Sequence, residues 1–348
     1  MKYLGSLILI AGLTACSLDE TGESIQVSEW QKYQHNNQAS FRAVFANEQN
    51  MWVSGSKNTV LKSTDNGQSW QDVSVNSPIV TDFRDIIAFD SETAIVMGAG
   101  SGEKSTLFKT SDGGLTWHQL YQNKEPKGFF NSFDFWDKST GLMLGDPVDG
   151  YYVVLKTVDG GQSWRRITLA KLPKILENEA AFAASGNTLK VGEHGKAWIV
   201  TGGKSASIYE SEDFGESWQR ISVPLHDKTA TSGSYALGLN SKEQVVVVGG
   251  DYKDRTGAYI NAAINVNGQF TALDTGQNGL RTAISCIDGL CMLTGKTGTD
   301  ISFDDGLSWQ ASPVAQGEGF YTIISNGDVF LAAGEKGKVA TMKIERNN

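Results

Sequence analysis

Apolar residues along this chain come in short bursts, and the bursts repeat. Met51-Trp52-Val53-Ser54-Gly55, Ala94-Ile95-Val96-Met97-Gly98, Gln244-Val245-Val246-Val247-Val248-Gly249 and Val329-Phe330-Leu331-Ala332-Ala333-Gly334 are runs that fit a buried strand closed by glycine. A segment of mixed character comes before each kind of run. These are Phe41-Arg42-Ala43-Val44-Phe45, Phe83-Arg84-Asp85-Ile86-Ile87, Phe130-Asn131-Ser132-Phe133-Asp134 and Ala180-Ala181-Phe182-Ala183, followed by Ser234-Tyr235-Ala236-Leu237, Leu280-Arg281-Thr282-Ala283-Ile284 and Phe320-Tyr321-Thr322-Ile323-Ile324. Short runs bounded by turn residues, with little helical period, predict strands. The pattern predicts seven repeats, each with a first strand, an apolar second strand, a third strand and an outer strand.

Between third and outer strands stands a polar octet. Ser63-Thr64-Asp65-Asn66-Gly67-Gln68-Ser69-Trp70 has the form S/T-x-D-x-G-x-S/T-W, and four further copies place their aspartates at Asp112, Asp159, Asp213 and Asp304. Each part suits a tight turn. Asp accepts backbone N–H bonds, Gly supplies a positive φ, and Trp opens the next strand with a large ring to bury. Successive aspartates are 47, 47, 54 and 91 residues apart, so one copy has decayed, and Asn265-Val266-Asn267-Gly268-Gln269-Phe270 is its remnant. A period in the forties with several strands per unit predicts propeller blades. The last repeat lacks an octet and an outer strand. Ser28-Glu29-Trp30-Gln31-Lys32-Tyr33 resembles the strand that follows an octet, so the N-terminal strand is expected to close the ring against the last blade. The expected fold is all-β, a seven-bladed β-propeller of four-stranded blades over residues 28–348.

The first residues read as a targeting segment. Lys2 precedes an apolar run from Leu4 to Leu13, too short to span a bilayer as a helix. Leu13-Thr14-Ala15-Cys16 then resembles a bacterial lipobox, which implies a lipoprotein signal peptide over 1–15 and acyl chains on Cys16. An ordinary secretory signal with a chance cysteine is the other reading. Ser17 in place of Asp points, by the same analogy, to the outer membrane, and residues 16–27 read as a polar tether. The membrane is then met through the lipid anchor alone. Of three cysteines, Cys286 and Cys291 remain, flanking Ile287-Asp288-Gly289-Leu290. Asp-Gly is a favoured hairpin turn. It sets the two cysteines opposite each other, as a disulfide of an oxidising compartment or as two small thiols.

The octet is similar to the Asp box of the BNR repeat, found in sialidases and many non-enzymatic propellers. The fuller run Asp159-Gly160-Gly161-Gln162-Ser163-Trp164 resembles the photosystem II assembly factor family and its non-photosynthetic bacterial relatives, often labelled oxidoreductase or glycosyl hydrolase. The resemblance covers nearly all of the chain after the signal. It implies the fold strongly and function weakly. It also implies that the boxes lie on the outer rim, away from the ligand face.

A net charge of −9 argues against nucleic acid as a general partner. The chemistry is expected where first strands begin, because those positions line a propeller's funnel. Arg42, Arg84 and Arg281 stand at matching offsets, each after an apolar residue, among only eight arginines. Their planar forks suit a carboxylate or phosphate, and Asp85 and Glu179 are expected beside them as ligand-binding residues, Glu179 as a candidate acid next to the channel; alternatively each arginine pairs with an acid such as Asp82, Asp85 or Glu179. Gly145-Asp146 and Gly249-Gly250-Asp251-Tyr252 close two second strands, and there Asp146, Asp251 and Tyr252 either overlook the funnel or serve turns. The box aspartates lack the alternating ligands of a calcium loop, the four histidines are scattered, and no dinucleotide fingerprint is present. No metal or cofactor is expected. The expected function is a monomeric binding or assembly scaffold for a partner protein, or for an anionic small molecule or glycan. The alternative is a sialidase-like glycoside hydrolase, although the Arg-Ile-Pro of those enzymes is replaced by Phe41-Arg42-Ala43-Val44.

Overall fold

In the computed structural model, which describes residues 16–18, 24–314 and 317–347, seven antiparallel sheets form a propeller with almost no helix. Six blades take their four strands in sequence order. The innermost strands are Phe41–Asn47, Asp82–Ala88, Phe130–Phe135, Leu189–Val191, Ser232–Leu239, Ala283–Ile287 and Thr322–Asn326. In the fourth blade this differs from expectation. Ala180–Ala183 resembles a first strand in composition, but Ala180 makes only an isolated bridge to Gly202. The segment instead crosses the funnel mouth as a loop, and the three-residue strand Leu189–Val191 takes its place against Ala197–Thr201.

The seventh blade contains strands from both ends of the chain. Lys338–Asn347 pairs with Val329–Ala333 on one side and with Gln31–Gln34 on the other. Trp30 is buried against Phe320, ring centroids 4.9 Å apart. The signal peptide expected at 1–15 lies outside the described residues. Within the stretch 16–27, expected as a tether, the described residues form two strands. Ser24–Val27 is a strand on the far half of Lys338–Asn347, because Ile25 and Val27 bury their side chains there. Cys16–Leu18 pairs back onto it.

The core lies between blades. Trp52 and Val60 of blade 1 pack with Phe83, Val96 and Phe108 of blade 2, and similar clusters join the other neighbours. Apolar area removed from water contributes about 25 cal/mol per Å², so these seams are a main source of stability.

The octets act as internally bonded turns. Asp65 accepts the Ser69 amide at 2.9 Å, the Ser69 hydroxyl at 2.6 Å and the Ser63 hydroxyl at 2.7 Å. Those bonds, the Ser69 hydroxyl first, hold the Asp65 carboxyl down at about 2. Gly67 sits at φ +80° with its N–H on Ser63, and Trp70 returns its indole N–H to the Gly67 carbonyl. Asp112, Asp159, Asp213 and Asp304 repeat the arrangement. In blade 5 the remnant near Gly268 is a two-residue hairpin with Asn267 and Gly268 both at positive φ.

Each octet also bonds to the turn between first and second strands of its own blade, as in Asn66 N–H to Gln49 O and Gly113 N–H to Glu92 O. All boxes therefore lie where first strands end. The propeller has a box face and, opposite it, a funnel face where first strands begin.

In blade 6, Cys286 faces Cys291 across the Asp288-Gly289 turn, Cα atoms 4.0 Å apart, with a disulfide between them. Closing so short a loop is worth roughly 2 kcal/mol on chain-entropy grounds. Intact mass measured without reductant is expected two hydrogens lighter than with it. Two thiols that alkylate without reduction would contradict the bond.

Candidate functional site

Four of the seven first strands share one irregularity on the funnel face. In blade 1, Phe41 pairs with Gly55 and Ala43 with Ser54, so Arg42 is an extra residue between two ladder pairs. Arg84, Asn131 and Tyr235 occupy the same extra position in blades 2, 3 and 5. A β-bulge re-aims the side chain it carries. All four side chains line one cleft of about 350 Å³ at the funnel mouth, together with Phe129, Asp146, Tyr252, Arg255 and the 181–184 loop. A larger space of about 1020 Å³ lies on the outer side of blades 2 and 3, among Tyr121, Trp164, several amides, Glu103 and Lys124. It gathers no comparable group of like charges, so the funnel cleft is the candidate site.

One wall of the cleft is cationic. Arg42 lies over the Tyr321 ring, its guanidinium carbon 4.3 Å from the centroid. Its Nε is buried without a hydrogen-bond partner. Burial pulls the Arg42 guanidinium below its ordinary value; Asp82 opposes that, while Arg84 and Arg255 add to it. Arginine does not shed its proton in response, so the unmet desolvation is a standing attraction for an anion. Arg84 donates Nε to Asp82 at 3.0 Å and another guanidinium N–H to the Ala183 carbonyl at 2.8 Å. Arg255 is steered by its Nε bond to the Tyr252 carbonyl.

The other wall is aromatic. Phe182, carried in by the loop, stacks on Tyr235 at 4.4 Å and meets Tyr252 edge-on at 6.1 Å. Asp146 accepts from Asn131 at 2.8 Å, and burial pushes its carboxyl upward against that bond.

The expected site residues therefore divide. Arg42, Arg84, Asp146 and Tyr252 come together. Arg281 does not join them. Thr282 N–H bonds Thr294 O, and Ala283 pairs with Thr294, so Thr282 holds the bulge position and Arg281 stands one residue earlier. A one-residue slip turns a side chain to the other face. Arg281 points into the blade and its Nε meets Asp300 at 2.6 Å, both side chains 2% exposed.

Asp85 is also a correction. It is buried between blades 2 and 3, where Ser132 Oγ at 2.9 Å and Phe133 N–H at 2.8 Å donate to it. Glu179 is buried under the loop and accepts from Thr201, Tyr209 and the Leu176 amide. Asp251 is closed off by Thr229 and Thr231, each hydroxyl at 2.6 Å. All three carboxylates brace loops and seams rather than facing the cleft. Arg255, Phe182, Asn131 and Tyr235 were not singled out by the sequence pattern. Among the described residues no group of three or more His, Cys, Asp or Glu could hold a metal ion.

Asp85 carries a pH consequence. Burial, against those hydrogen bonds and the charge of Lys190, pushes its carboxyl up to about 8. An unfolded Asp titrates at about 3.9. Between the two values the folded chain holds a proton that the unfolded chain lacks, so this group's contribution falls as pH rises from about 4 to about 8. Thermal denaturation across that range is expected to show the slope in the native chain and to lose it in Asp85→Asn. An unchanged slope in Asp85→Asn would contradict the assignment.

Comparison with known proteins fits this architecture. Residues 16–268 match the family model of the DUF6242 beta propeller domain. YCF48, in a structure solved bound to D1 peptide, superposes with a TM-score of 0.65 at 16% identity, covering 90% of this chain and 94% of that one. YCF48 from Cyanidioschyzon merolae gives 0.65 and 16%, over 91% and 99%. Virginiamycin B lyase from Staphylococcus aureus gives 0.67 and 10%, over 92% and 99%. At such identities the likeness is one of fold. No curated protein matches the chain. Most of its length meets the family model, and the chain belongs to the DUF6242 beta propeller domain family.

Proposed function

We propose that the chain is a lipid-anchored binding scaffold of the cell envelope, which holds a carboxylate-bearing segment of a partner protein in the funnel cleft. The observation that carries this reading is the buried, unpartnered Nε of Arg42, grouped with Arg84 and Arg255. A cationic group in a chain of net charge −9 focuses field on one place. The aromatic wall of Phe182, Tyr235 and Tyr252 offers apolar area beside it. That combination suits a peptide with an acidic group next to a ring or aliphatic side chain better than a bare inorganic anion. The reading is supported by the likeness in fold to YCF48, a protein solved with a peptide bound. Synthetic peptides pairing an aromatic residue with a free carboxyl terminus, titrated calorimetrically, are expected to bind at least about tenfold tighter than their amidated counterparts, the difference one charge-assisted bond makes. Equal binding of both forms would retire the carboxylate.

Glycan hydrolysis has one observation in its favour. Tyr321, under Arg42, has its hydroxyl 3.4 Å from Glu335. Glu335, however, is engaged by Lys296 at 2.7 Å, and Asp146 is the one carboxylate among the cleft's lining residues. Sialidases depart from the paired-carboxylate rule by using a tyrosine nucleophile, and here the glutamate beside Tyr321 is already held by Lys296. A fluorogenic sialoside and glycoside panel decides: turnover abolished by Tyr321→Phe would favour the enzyme over the scaffold.

A further inference from the structure

Asp146 differs from the other carboxylates around the funnel mouth. Asp85, Glu179 and Asp251 each accept three hydrogen bonds from hydroxyls or backbone amides. Asp146 accepts one. Asn131 donates to its Oδ1 at 2.8 Å, and Oδ2 has no partner among the described residues. That oxygen is not sealed away, because Asp146 is half-buried and lines the cleft. Its position is set by backbone. A bulge between Gly145 and Val148 takes Asp146 out of the ladder, and its N–H is fixed to the Phe129 carbonyl at 2.8 Å. A bulge re-aims the side chain it carries, as the bulges at Arg42 and Arg84 do in blades 1 and 2.

The cleft thus holds two unmet charges of opposite sign. Arg42 brings a buried Nε without a partner. Asp146 brings a carboxylate that burial pushes upward and that Asn131 alone relieves, so no arginine of the cleft stands close enough to lower it. The two are carried by blades 1 and 3, and they do not pair with each other. Arg84 of blade 2 is turned to Asp82 and the Ala183 carbonyl. Taking a charge out of water costs free energy that a partner must offset. A ligand bearing both signs offsets it at both ends.

We propose that Asp146 is a second recognition point of the cleft, which takes the ammonium of a lysine side chain from the same segment whose carboxylate the arginines hold. This rests on the carboxylate reading above and narrows it: the captured stretch is zwitterionic rather than simply acidic. Lysine fits on three grounds. Its methylene stem lies well on apolar surface while its head stays polar, and Phe129, Ala181, Ala183 and Ala184 supply that surface in the lining. Its ammonium is a compact point charge, suited to the one free oxygen of Asp146, whereas a guanidinium fork is best met by two. A free α-amino acid has its ammonium only two bonds from its carboxyl carbon. It does not span charges so far apart that the arginines leave Asp146 unrelieved. An acidic residue at the same place on the segment would be rejected by like charge.

The test titrates the native chain and Asp146→Asn calorimetrically with tetrapeptides. Each ends in phenylalanine with a free carboxylate and carries lysine, norleucine or glutamate at one of the three preceding positions. At one of those positions lysine is expected to bind at least about tenfold tighter than norleucine, the effect of one hydrogen bond between charged groups. Glutamate there should bind more weakly than norleucine. In Asp146→Asn the three should converge, while the preference for a free over an amidated terminus remains and the melting temperature is nearly unchanged. Equal affinity for lysine and norleucine at all three positions overturns the proposal, as does a lysine preference that survives Asp146→Asn. Free phenylalanine binding as tightly as the lysine peptide overturns it too, since the ligand's own amino group would then be the cation. The two readings fail separately. A free-terminus preference without a lysine preference retires the role of Asp146 alone. A lysine preference that Asp146→Asn removes, with free and amidated termini bound equally, retires the carboxylate and leaves Asp146 in its role.

Discussion

Arg281→Ala is expected to cost about 3–5 kcal/mol of folding stability, the range for removing one partner of a buried ion pair. The pair is enclosed in blade 6. Arg281 Nε donates to Asp300 at 2.6 Å, and the guanidinium also reaches the Asn278 carbonyl at 3.2 Å. Removing Arg281 leaves Asp300 in a site whose burial already pushes its carboxyl upward, with the opposing arginine gone. Asp300 then keeps its proton in the folded chain above the pH at which it loses it unfolded. The variant's deficit should therefore deepen as pH rises above about 4, where an unfolded carboxyl ionises. Replacing both partners, Arg281→Met with Asp300→Leu, should recover most of the loss, because no uncompensated charge remains. Denaturant unfolding of the three variants at two pH values checks this. Peptide binding below the unfolding transition should not change. If Arg281→Ala is as stable as the native chain but loses peptide binding, the assignment of Arg281 to the blade interior is wrong.

The contrast between Arg281 and Arg42 shows what was legible in the sequence. The seven repeats were legible because the octet recurs at nearly constant spacing, and each copy satisfies its own donors and acceptors whatever surrounds it. Local chemistry of that kind survives in the sequence as a pattern. The funnel is set by register, which is not local. Phe41-Arg42, Phe83-Arg84 and Leu280-Arg281 look equivalent when aligned on the apolar residue. They are not equivalent when aligned on the glycine that closes the second strand. Counting back from Gly55 through the Glu48-Gln49 turn lands on Arg42, and the same count from Gly295 through the Asp288-Gly289 turn lands on Thr282. The Asp288-Gly289 hairpin was readable, so the signal that removes Arg281 from the cleft was present.

Arg255 and Phe182 had no such signal. Both sit in long connections where no periodicity says which way a side chain turns. Phe182 was also disguised. Ala180-Ala181-Phe182-Ala183 has a strand's composition, and only the competing pairing of Leu189–Val191 with Ala197–Thr201 excludes it from the sheet. Asp85 shows the same limit for charge. An acid beside Arg84 in sequence points to the other side of the strand, and there it bonds the neighbouring blade instead of the arginine.

Arg42→Ala with Arg84→Ala is expected to do the opposite of Arg281→Ala, abolishing capture of a carboxylate peptide with little effect on stability. A hydrogen bond to a charged group contributes about 1.5–3 kcal/mol, so each single variant should weaken binding by roughly 10- to 150-fold. The double variant should weaken it further, though neighbouring sites need not add. The stability side follows from what each arginine does without a ligand. Arg42 has a desolvated Nε with no partner, and its contact with Tyr321 is a stacking one. Cation–π contact of this kind is worth about 0.5–2 kcal/mol and is offset here by desolvation. Arg84 loses an ion pair with Asp82 in which both side chains are about a quarter exposed, worth about 0–1 kcal/mol, and one bond to the Ala183 carbonyl. Arg42→Lys should not restore binding, because an ammonium neither lies flat on Tyr321 nor offers a planar fork. Affinity in the native chain should also fall with added salt, less steeply than for an exposed pair because the cleft is partly buried. Calorimetric titration of the free-carboxylate peptide, run beside thermal melts of the same samples, separates the outcomes. Intact binding with a large loss of stability would return Arg42 and Arg84 to the role Arg281 plays, as braces between blades, and would leave the funnel without a ligand site.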